Sequence, residues 1–382
     1  MKYRIFGRTK WRISALGFGM MRLPVIGGET ARIDERVAMD MALHAVDRGV
    51  NYFDTAYPYH TADFSKGGAS EPFLAKVLKQ VDRDSLYIAT KLPSWHVRSR
   101  KDMDRYLEEQ LRRLDTESID CYLLHALNTA LWKKLTENGV FEFLESALRS
   151  GKIRYAGFSF HDRVELFKEI VDAYDWTFCQ IQYNYFDTNY QAGRAGLEYA
   201  AAKDLAVVVM EPLRGGCLVQ RLPDEAKDVL RKAAPERTPA EWALRWVWNH
   251  PEVSVVLSGM SDLDQMRENV ALAETVSDAE WTEKDEKAVQ ETVRIIQDLQ
   301  KVDCTSCGYC LPCPEGVDIP RNFSLYNDHF VFHDPAAKMR YRNFLVDSAK
   351  ASNCADCGRC EEKCPQAIPI RRELKNIVDL FG

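Results

Sequence analysis

The stretch ISALGFGMMRLP, residues 13–24, decides between two folds. Its apolar start reads as a first β-strand, and the residues after that strand separate an open doubly wound sheet from a closed barrel. A doubly wound nucleotide-binding sheet needs a GxGxxG phosphate loop immediately after its first strand, and GFGMMRLP does not supply one. Downstream lie seven more apolar runs of strand length: VNYFDTA (50–56), SLYIATK (85–91), IDCYLLH (119–125), IRYAGFS (153–159), TFCQIQYN (177–184), LAVVVMEPL (205–213) and VSVVLSG (253–259). Amphipathic stretches separate them. DERVAMDMALHAVDRG (34–49) stops at a glycine, and RYLEEQLRRLD (105–115) spaces Leu107, Leu111 and Leu114 by helical intervals. Eight strands alternating with helices predict a closed parallel α/β barrel.

Length and composition set the remaining frame. A chain of 382 residues with 46% apolar content can bury a large core and exceeds one ordinary domain. The net charge of −6 and the absence of a basic stripe argue against nucleic acid as a partner. No apolar run reaches the roughly 18 residues that cross a bilayer, and MKYRIFGRTKW lacks the pattern of a secretory signal, so the expectation is a cytoplasmic protein without a membrane partner. In that compartment clustered cysteines point to a metal site more than to disulfides. A boundary is expected near residue 282, giving a barrel over 1–282 and a smaller domain over 283–382. The charged helix WTEKDEKAVQETVRIIQDLQKV (281–302) would connect them, and IPIRRELKNIVDLF (368–381) is a second amphipathic helix.

In a parallel barrel the chemistry sits where strands end. Four ends carry Asp54 and Tyr59 (FDTAYPYH), Lys91 (IATK) and His125 (LLH). Hydride addition to a carbonyl leaves negative charge on oxygen, and a proton donor must meet it there. Tyr59 can be that donor; Lys91 beside it would lower the phenol's pKa, Asp54 would keep Lys91 charged, and His125 would orient the carbonyl or share the proton. Taken singly, each of these is more often a solvated loop charge or a packing residue; it is the set of four at strand ends that argues for catalysis. His60, His96 and His161 fall on the same top loops without metal-ligand spacing, and Trp95 and Trp132 are candidate pocket walls.

These motifs, MKYRIFGRTKWRISALGFGMMRLP, FDTAYPYH with the later GGASE, ATK and LLH, occur in this order, with the tyrosine five residues after the aspartate. Over about 1–275 the chain resembles the aldo-keto reductase family. The resemblance implies a (β/α)8 TIM barrel that binds NAD(H) or NADP(H) across its top and acts on a small-molecule carbonyl or alcohol, with Asp54, Tyr59, Lys91 and His125 as the catalytic tetrad. It also places cofactor contacts at Gly19, Met20, Ser159, Gln180, Met210, Gly259, Gln265 and Asn269. Three departures stand out. Phe160 follows Ser159 where the family usually has asparagine; Met210 replaces a stacking tyrosine; and Ser261 and Asp262 replace the basic residues that pair with a 2′-phosphate. An aspartate there suits a free 2′-hydroxyl, so NADH is at least as well matched as NADPH, and a flavin in the same trough stays open.

Of eleven cysteines, Cys121, Cys179 and Cys217 are scattered and read as packing residues, and eight form two runs. CADCGRCEEKCP (354–365) has the C-x2-C-x2-C-x3-C-P spacing of bacterial ferredoxins, and CTSCGYCLPCP (304–314) is one residue shorter before its last cysteine. Three thiolates on one tight turn suit a cubane better than a tetrahedral zinc. The tail is thus expected to be a small α-rich ferredoxin-like domain with two [4Fe-4S] clusters. By the crossing pattern of such domains, Cys304, Cys307, Cys310 and Cys364 would hold one, and Cys354, Cys357, Cys360 and Cys313 the other. A nicotinamide moves two electrons and a cluster one, which makes a flavin or a redox partner protein the expected intermediary. The reading is an oxidoreductase linked to iron–sulfur electron transfer. Its alternatives are a flavin-dependent or ferredoxin-linked reductase on the same barrel, or an electron-transfer or regulatory subunit with a vestigial barrel site.

Overall fold

The computed structural model describes residues 1–63, 65–275, 281–304 and 308–382, and its contacts divide the chain into two compact units. One comprises Met1–Leu213 and Ala243–Trp281, the other Arg214–Trp242 and Thr282–Gly382.

The first unit is the barrel. Its strands are β1 (Leu16–Gly19), β2 (Tyr52–Asp54), β3 (Tyr87–Leu92), β4 (Ile119–Leu127), β5 (Ile153–Phe160), β6 (Phe178–Gln182), β7 (Ala206–Met210) and β8 (Val253–Ser258). Each pairs in parallel with the next, and β8 closes on β1 through Val256 opposite Leu16. All eight apolar runs therefore become strands. They read as continuous apolar segments because a parallel strand inside a ring of helices is covered on both faces. Register fixes the functional ends: Gly19 lies opposite Asp54, Asp54 opposite Ala89, Ser159 opposite Gln180, and Gln182 opposite Met210.

An antiparallel hairpin precedes the barrel, pairing Tyr3–Ile5 with Arg12–Ser14. Phe6, in its connection, is fully buried in one apolar cluster with Tyr52, Ala89, Cys121, Phe178 and Ala206. Most of these residues sit at or near the starts of their strands, so the hairpin plugs the end of the barrel opposite the strand termini. The sequence itself did not predict this hairpin in MKYRIFGRTKW. Cys121 and Cys179 are fully buried in the barrel, as packing residues should be.

In the second unit, Glu283–Asp298 forms a helix opened by a capping box between Thr282 and Asp285, and Asp285 also accepts from Arg237 at 2.7 Å. Two orphan helix donors and one guanidinium are satisfied by these groups. Helices Ile319–Val331, Ala336–Asn343 and Ile370–Phe381 enclose a core of Ile319, Phe323, Leu325, Leu374, Ile377 and Phe381. The segment Arg214–Trp242, which comes after β7, belongs to this unit and not to the barrel. Its arginines explain why: Arg214 pairs with Asp328, and Arg221 donates to Asp334 at 2.6 Å, while Arg340 reaches both aspartates. Asp334 is only 1% exposed, and its charge is matched from two sides. Among the described residues, no helix is long and apolar enough to cross a membrane.

Candidate functional site

The ends of β2 and β3 and the loop after β2 bring three of the predicted residues into contact. Lys91 is fully buried and its Nζ donates to Asp54 Oδ1 at 2.6 Å, to the Thr55 carbonyl at 2.8 Å and to the Tyr59 hydroxyl at 3.2 Å. An ammonium has three protons, and each has an acceptor. His125, near the end of β4, has its ring centroid 6.0 Å from that of Tyr59, nearly perpendicular, and 5.1 Å from the Trp95 ring. Its Nδ1 is buried without a hydrogen-bond partner, as is Asp54 Oδ2.

Burial governs the charge states. It pushes the Tyr59 phenol above its usual value; Lys91 works the other way, while Asp54 and Glu211 add to the rise. This corrects the expectation that Lys91 leaves the phenol below its ordinary pKa. Withdrawal from water disfavours the phenolate more than one ammonium, itself half-neutralised by Asp54, can favour it. Burial also works to lower Lys91, but Asp54 and Tyr59 overcome it and hold the ammonium charged. His125 is driven well below the usual imidazole range by burial, with Lys91 contributing. The arrangement is a protonated phenol against a fixed cation, beside a neutral imidazole.

The segment GGASE holds these groups. Ser70 Oγ is 2.7 Å from Thr55 Oγ1 and donates to the Met20 carbonyl at 3.3 Å, which ties the ends of β1 and β2 together. Glu71, fully buried, accepts from Thr90 Oγ1 at 2.7 Å, Gln110 Nε2 at 2.8 Å and Arg113 Nε at 2.7 Å. Gln110 Nε2 also donates to the Lys91 carbonyl at 3.0 Å. The peptide of Tyr59 is pinned by the same segment, its carbonyl accepting from the Ser70 amide at 3.2 Å. A Cβ on Gly68 would stand 2.0 Å from that carbonyl oxygen, so only glycine permits the approach. The sequence reading quoted this motif without giving Ser70 or Glu71 a role. The available signal was a glutamate at a helix start, which is ordinary there; its burial depends on Gln110 and Arg113 some forty residues on.

The predicted cofactor residues divide into two groups. Gly19 and Met20 lie at the end of β1, with Met20 fully buried. Ser159 accepts from the Ala126 amide at 2.8 Å, and its own proton has no acceptor among the described residues. Gln180 Nε2 reaches Met210 Sδ at 3.5 Å, and Gln180 Oε1 is buried with no partner. An orphaned buried carbonyl beside a hydroxyl with a free proton fits the carboxamide of a nicotinamide, which offers one NH2 and one C=O. At the β8 end the amides are committed within the protein. Asn269 Nδ2 donates to Ser258 Oγ at 3.0 Å, and Gln265 Nε2 donates to Asp262 at 2.6 Å. Arg22, which the sequence reading did not single out, lies over Gly259, where a Cβ would meet its side chain at 3.3 Å, and pairs with Glu211 at 3.6 Å.

Of the remaining candidates, Trp95 lies at the site, whereas Trp132 donates to Glu169 at 3.2 Å and is 6% exposed in ordinary packing. His60 clasps its loop: the Leu23 amide donates to Nε2 at 3.2 Å and Nδ1 lies 2.9 Å from the Thr30 carbonyl. His96 stacks near Tyr106, and exposed His161 is 3.2 Å from Gln191 Oε1.

The cysteine runs lie against the core of the second unit, and Cys307 falls outside the described residues. Two cavities sort the others. One, of about 390 Å³, is lined by Cys354, Cys357 and Cys360 together with Cys310 and Cys313 of the first run. The other, of about 20 Å³, is lined by Cys304, Cys310 and, from the second run, Cys364. The larger thus combines three cysteines of the second run with two of the first, the smaller combines two of the first with Cys364 of the second, and Cys310 lines both. Among the described residues, no three side chains converge as ligands of a single metal ion do. Zinc thiolates stand about 2.3 Å from the metal and crowd one another, so sulfurs spread around a cavity fit a cluster better.

Comparison with known proteins agrees with this geometry. The profile described as "Aldo/keto reductase family" matches residues 15–289, and that described as "4Fe-4S dicluster domain" matches 303–369. L-galactose dehydrogenase of Arabidopsis thaliana is 26% identical over 321 residues, covering 79% of this chain and 96% of that protein. L-glyceraldehyde 3-phosphate reductase of Escherichia coli strain K12 is 24% identical over 71% of this chain and 87% of that one. Among solved structures, an aldo-keto reductase from Bacillus halodurans in its holo form superposes with a TM-score of 0.63 at 26% identity, over 76% of this chain and 96% of that chain. A thermostable aldo-keto reductase bound to the inhibitor epalrestat gives 0.64 at 28% identity, over 76% of this chain and all of that one.

Proposed function

Because this chain belongs to the aldo/keto reductase family, we propose that it interconverts a small-molecule carbonyl and its alcohol with Tyr59 as the proton donor, and that two [4Fe-4S] clusters in its C-terminal unit link the enzyme to one-electron carriers. The observation that carries the reading is the ammonium of Lys91, 3.2 Å from the Tyr59 hydroxyl and 2.6 Å from Asp54. When bound, a nicotinamide supplies the hydride and the clusters accept or donate single electrons. As a C–H bond forms at the carbonyl carbon, the O–H bond of Tyr59 breaks and its proton passes to the carbonyl oxygen. Lys91 stabilises the phenolate left behind until solvent reprotonates it. His125, neutral, would donate a hydrogen bond to the same oxygen. Ser159 and Gln180 would hold the carboxamide. Asp262 would disfavour a 2′-phosphate, which makes NADH at least as well matched as NADPH. Cys304, Cys307, Cys310 and Cys364 would ligate one cluster, and Cys313, Cys354, Cys357 and Cys360 the other.

Tyr59→Phe tests the barrel half. Carbonyl turnover should fall by about 10²-fold or more while nucleotide binding is unchanged; a variant with near-native turnover removes Tyr59 from the role. Anaerobic titration of the iron-replete protein with NADH and then NADPH tests the link. Bleaching of the clusters by nucleotide supports an internal route, and binding without bleaching assigns the link to an external carrier.

A further inference from the structure

The two cysteine-lined cavities share Cys310 and Ile319 and differ in the charge of the rest of their lining. The smaller is closed by Ile319, Pro320, Phe323, Ile368 and Ile370, and among the described residues no charged side chain reaches it. The larger carries Glu315, Arg359, Lys363 and Arg371, and its Cys357 is exposed to solvent. Gly358, at φ 76°, sits left-handed at the start of the short helix Arg359–Glu362, and Arg359, between Cys357 and Cys360 in the sequence, lines the larger cavity with them. Arg371 is offset by Glu361 at 2.9 Å and Asp356 at 3.4 Å, whereas Arg359 faces Glu315 only through space.

An added electron puts negative charge on a cluster and its four thiolates. A guanidinium lining the site, and solvent at an exposed ligand, favour that reduced form, and an apolar shell disfavours it. We propose that the site of Cys313, Cys354, Cys357 and Cys360 has the higher reduction potential and takes the first electron from a low-potential one-electron donor, with Arg359 setting the gap to its neighbour. The inference rests on the two-cluster reading above. The step is a single electron gained at one site, with no bond broken.

The test is an anaerobic redox titration of the holoprotein with dithionite and mediators, monitored by electron paramagnetic resonance, with iron and sulfide counted in each sample. The native protein should show two separate waves. Arg359→Ala should lower the upper wave by threefold or more in its reduction equilibrium, about 28 mV at about 59 mV per decade, and leave the lower wave in place. Arg359→Lys should retain part of the upper value. Arg359 is exposed and outside the core, so the variants should load fully. Coincident waves in native protein carrying about eight irons would overturn the inference alone, as would an upper wave moved less than threefold or a shift of the lower one. About four irons or fewer would overturn the two-cluster reading, and this inference with it.

Discussion

Lys91→Met is the most informative single change to the barrel, because it removes one charge and preserves the stem. With the ammonium 3.2 Å from the phenol oxygen, its attraction for a developing phenolate is about 5 kcal/mol at an effective dielectric of about 20. Positioned acid catalysis contributes about 10²–10⁴-fold, or about 3–5 kcal/mol, so the two estimates agree. The variant should therefore lose about 10³-fold in kcat, with little change in nucleotide affinity. A second effect separates this account from general damage. Asp54 is 3% exposed and its Oδ2 has no partner, so losing Lys91 leaves the carboxylate entirely unpaired. Breaking a buried pair from one side costs about 3–5 kcal/mol, visible as a lowered denaturant midpoint. The double variant Lys91→Met, Asp54→Leu should recover most of that stability and none of the rate. Single-turnover reduction and urea unfolding of the native protein and both variants read the two effects independently. Activity above about a tenth of native in the single variant, or rescue of turnover by the second change, would refute the role given to Lys91.

Other expectations concern the groups around it. Glu71→Gln puts a neutral amide where three donors converge, and should cost about 2–4 kcal/mol in thermal unfolding with a drop in kcat, since the Lys91 peptide is held through Gln110. Reduction should stay level from about pH 7 to about pH 9 and fall only above about pH 10, because burial holds the Tyr59 phenol above its ordinary value; a pH profile of kcat/KM checks it. His60, His125 and His250 all titrate below their unfolded value, chiefly through burial. The unfolded chain therefore binds more protons below about pH 6.5, and melting temperature should fall as pH drops through that range. Asp334→Asn should destabilise the second unit by about 3 kcal/mol, since the carboxylate, 1% exposed, answers both Arg221 and Arg340; differential scanning calorimetry would show it.

The features legible in the sequence were those that depend on neighbours along the chain. The eight strands were legible because a doubly covered strand is an apolar run, and Asp54, Lys91 and His125 because each interrupts such a run at or near its end. The two cysteine runs were legible from their spacing, because ligands on one tight turn are close along the chain. Residues whose meaning comes from distant partners were not. Phe6 looks like any apolar residue until the strand starts gather around it. Arg214 and Arg221 lie more than a hundred residues from Asp328 and Asp334, so the assignment of Arg214–Trp242 to the second unit had no local signal. The direction of the Tyr59 shift was misjudged for a related reason. Its neighbours Asp54 and Lys91 were visible, but the balance is decided by burial, which spacing does not record.

The buried pair itself argues for use. Asp54 and Lys91 have side chains 4% and 0% exposed, and removing two charges from water is repaid by their attraction only when the remaining hydrogen bonds are good. Here they are incomplete, since Asp54 Oδ2 has none. Similar pairs elsewhere are often replaced by apolar residues with no loss of stability, so a barrel selected for stability alone has no need of this one. An apolar pair could not provide the third contact of the ammonium, on the hydroxyl of Tyr59. Lys91 is kept charged by Asp54, and Tyr59 is kept protonated by burial, so each group is held in the form that proton donation requires before substrate arrives. A vestigial site could exchange the whole pair for apolar residues without loss of stability; the presence of both charges, with Ser70 and Glu71 buried beneath them, supports the proton-donor role proposed for Tyr59.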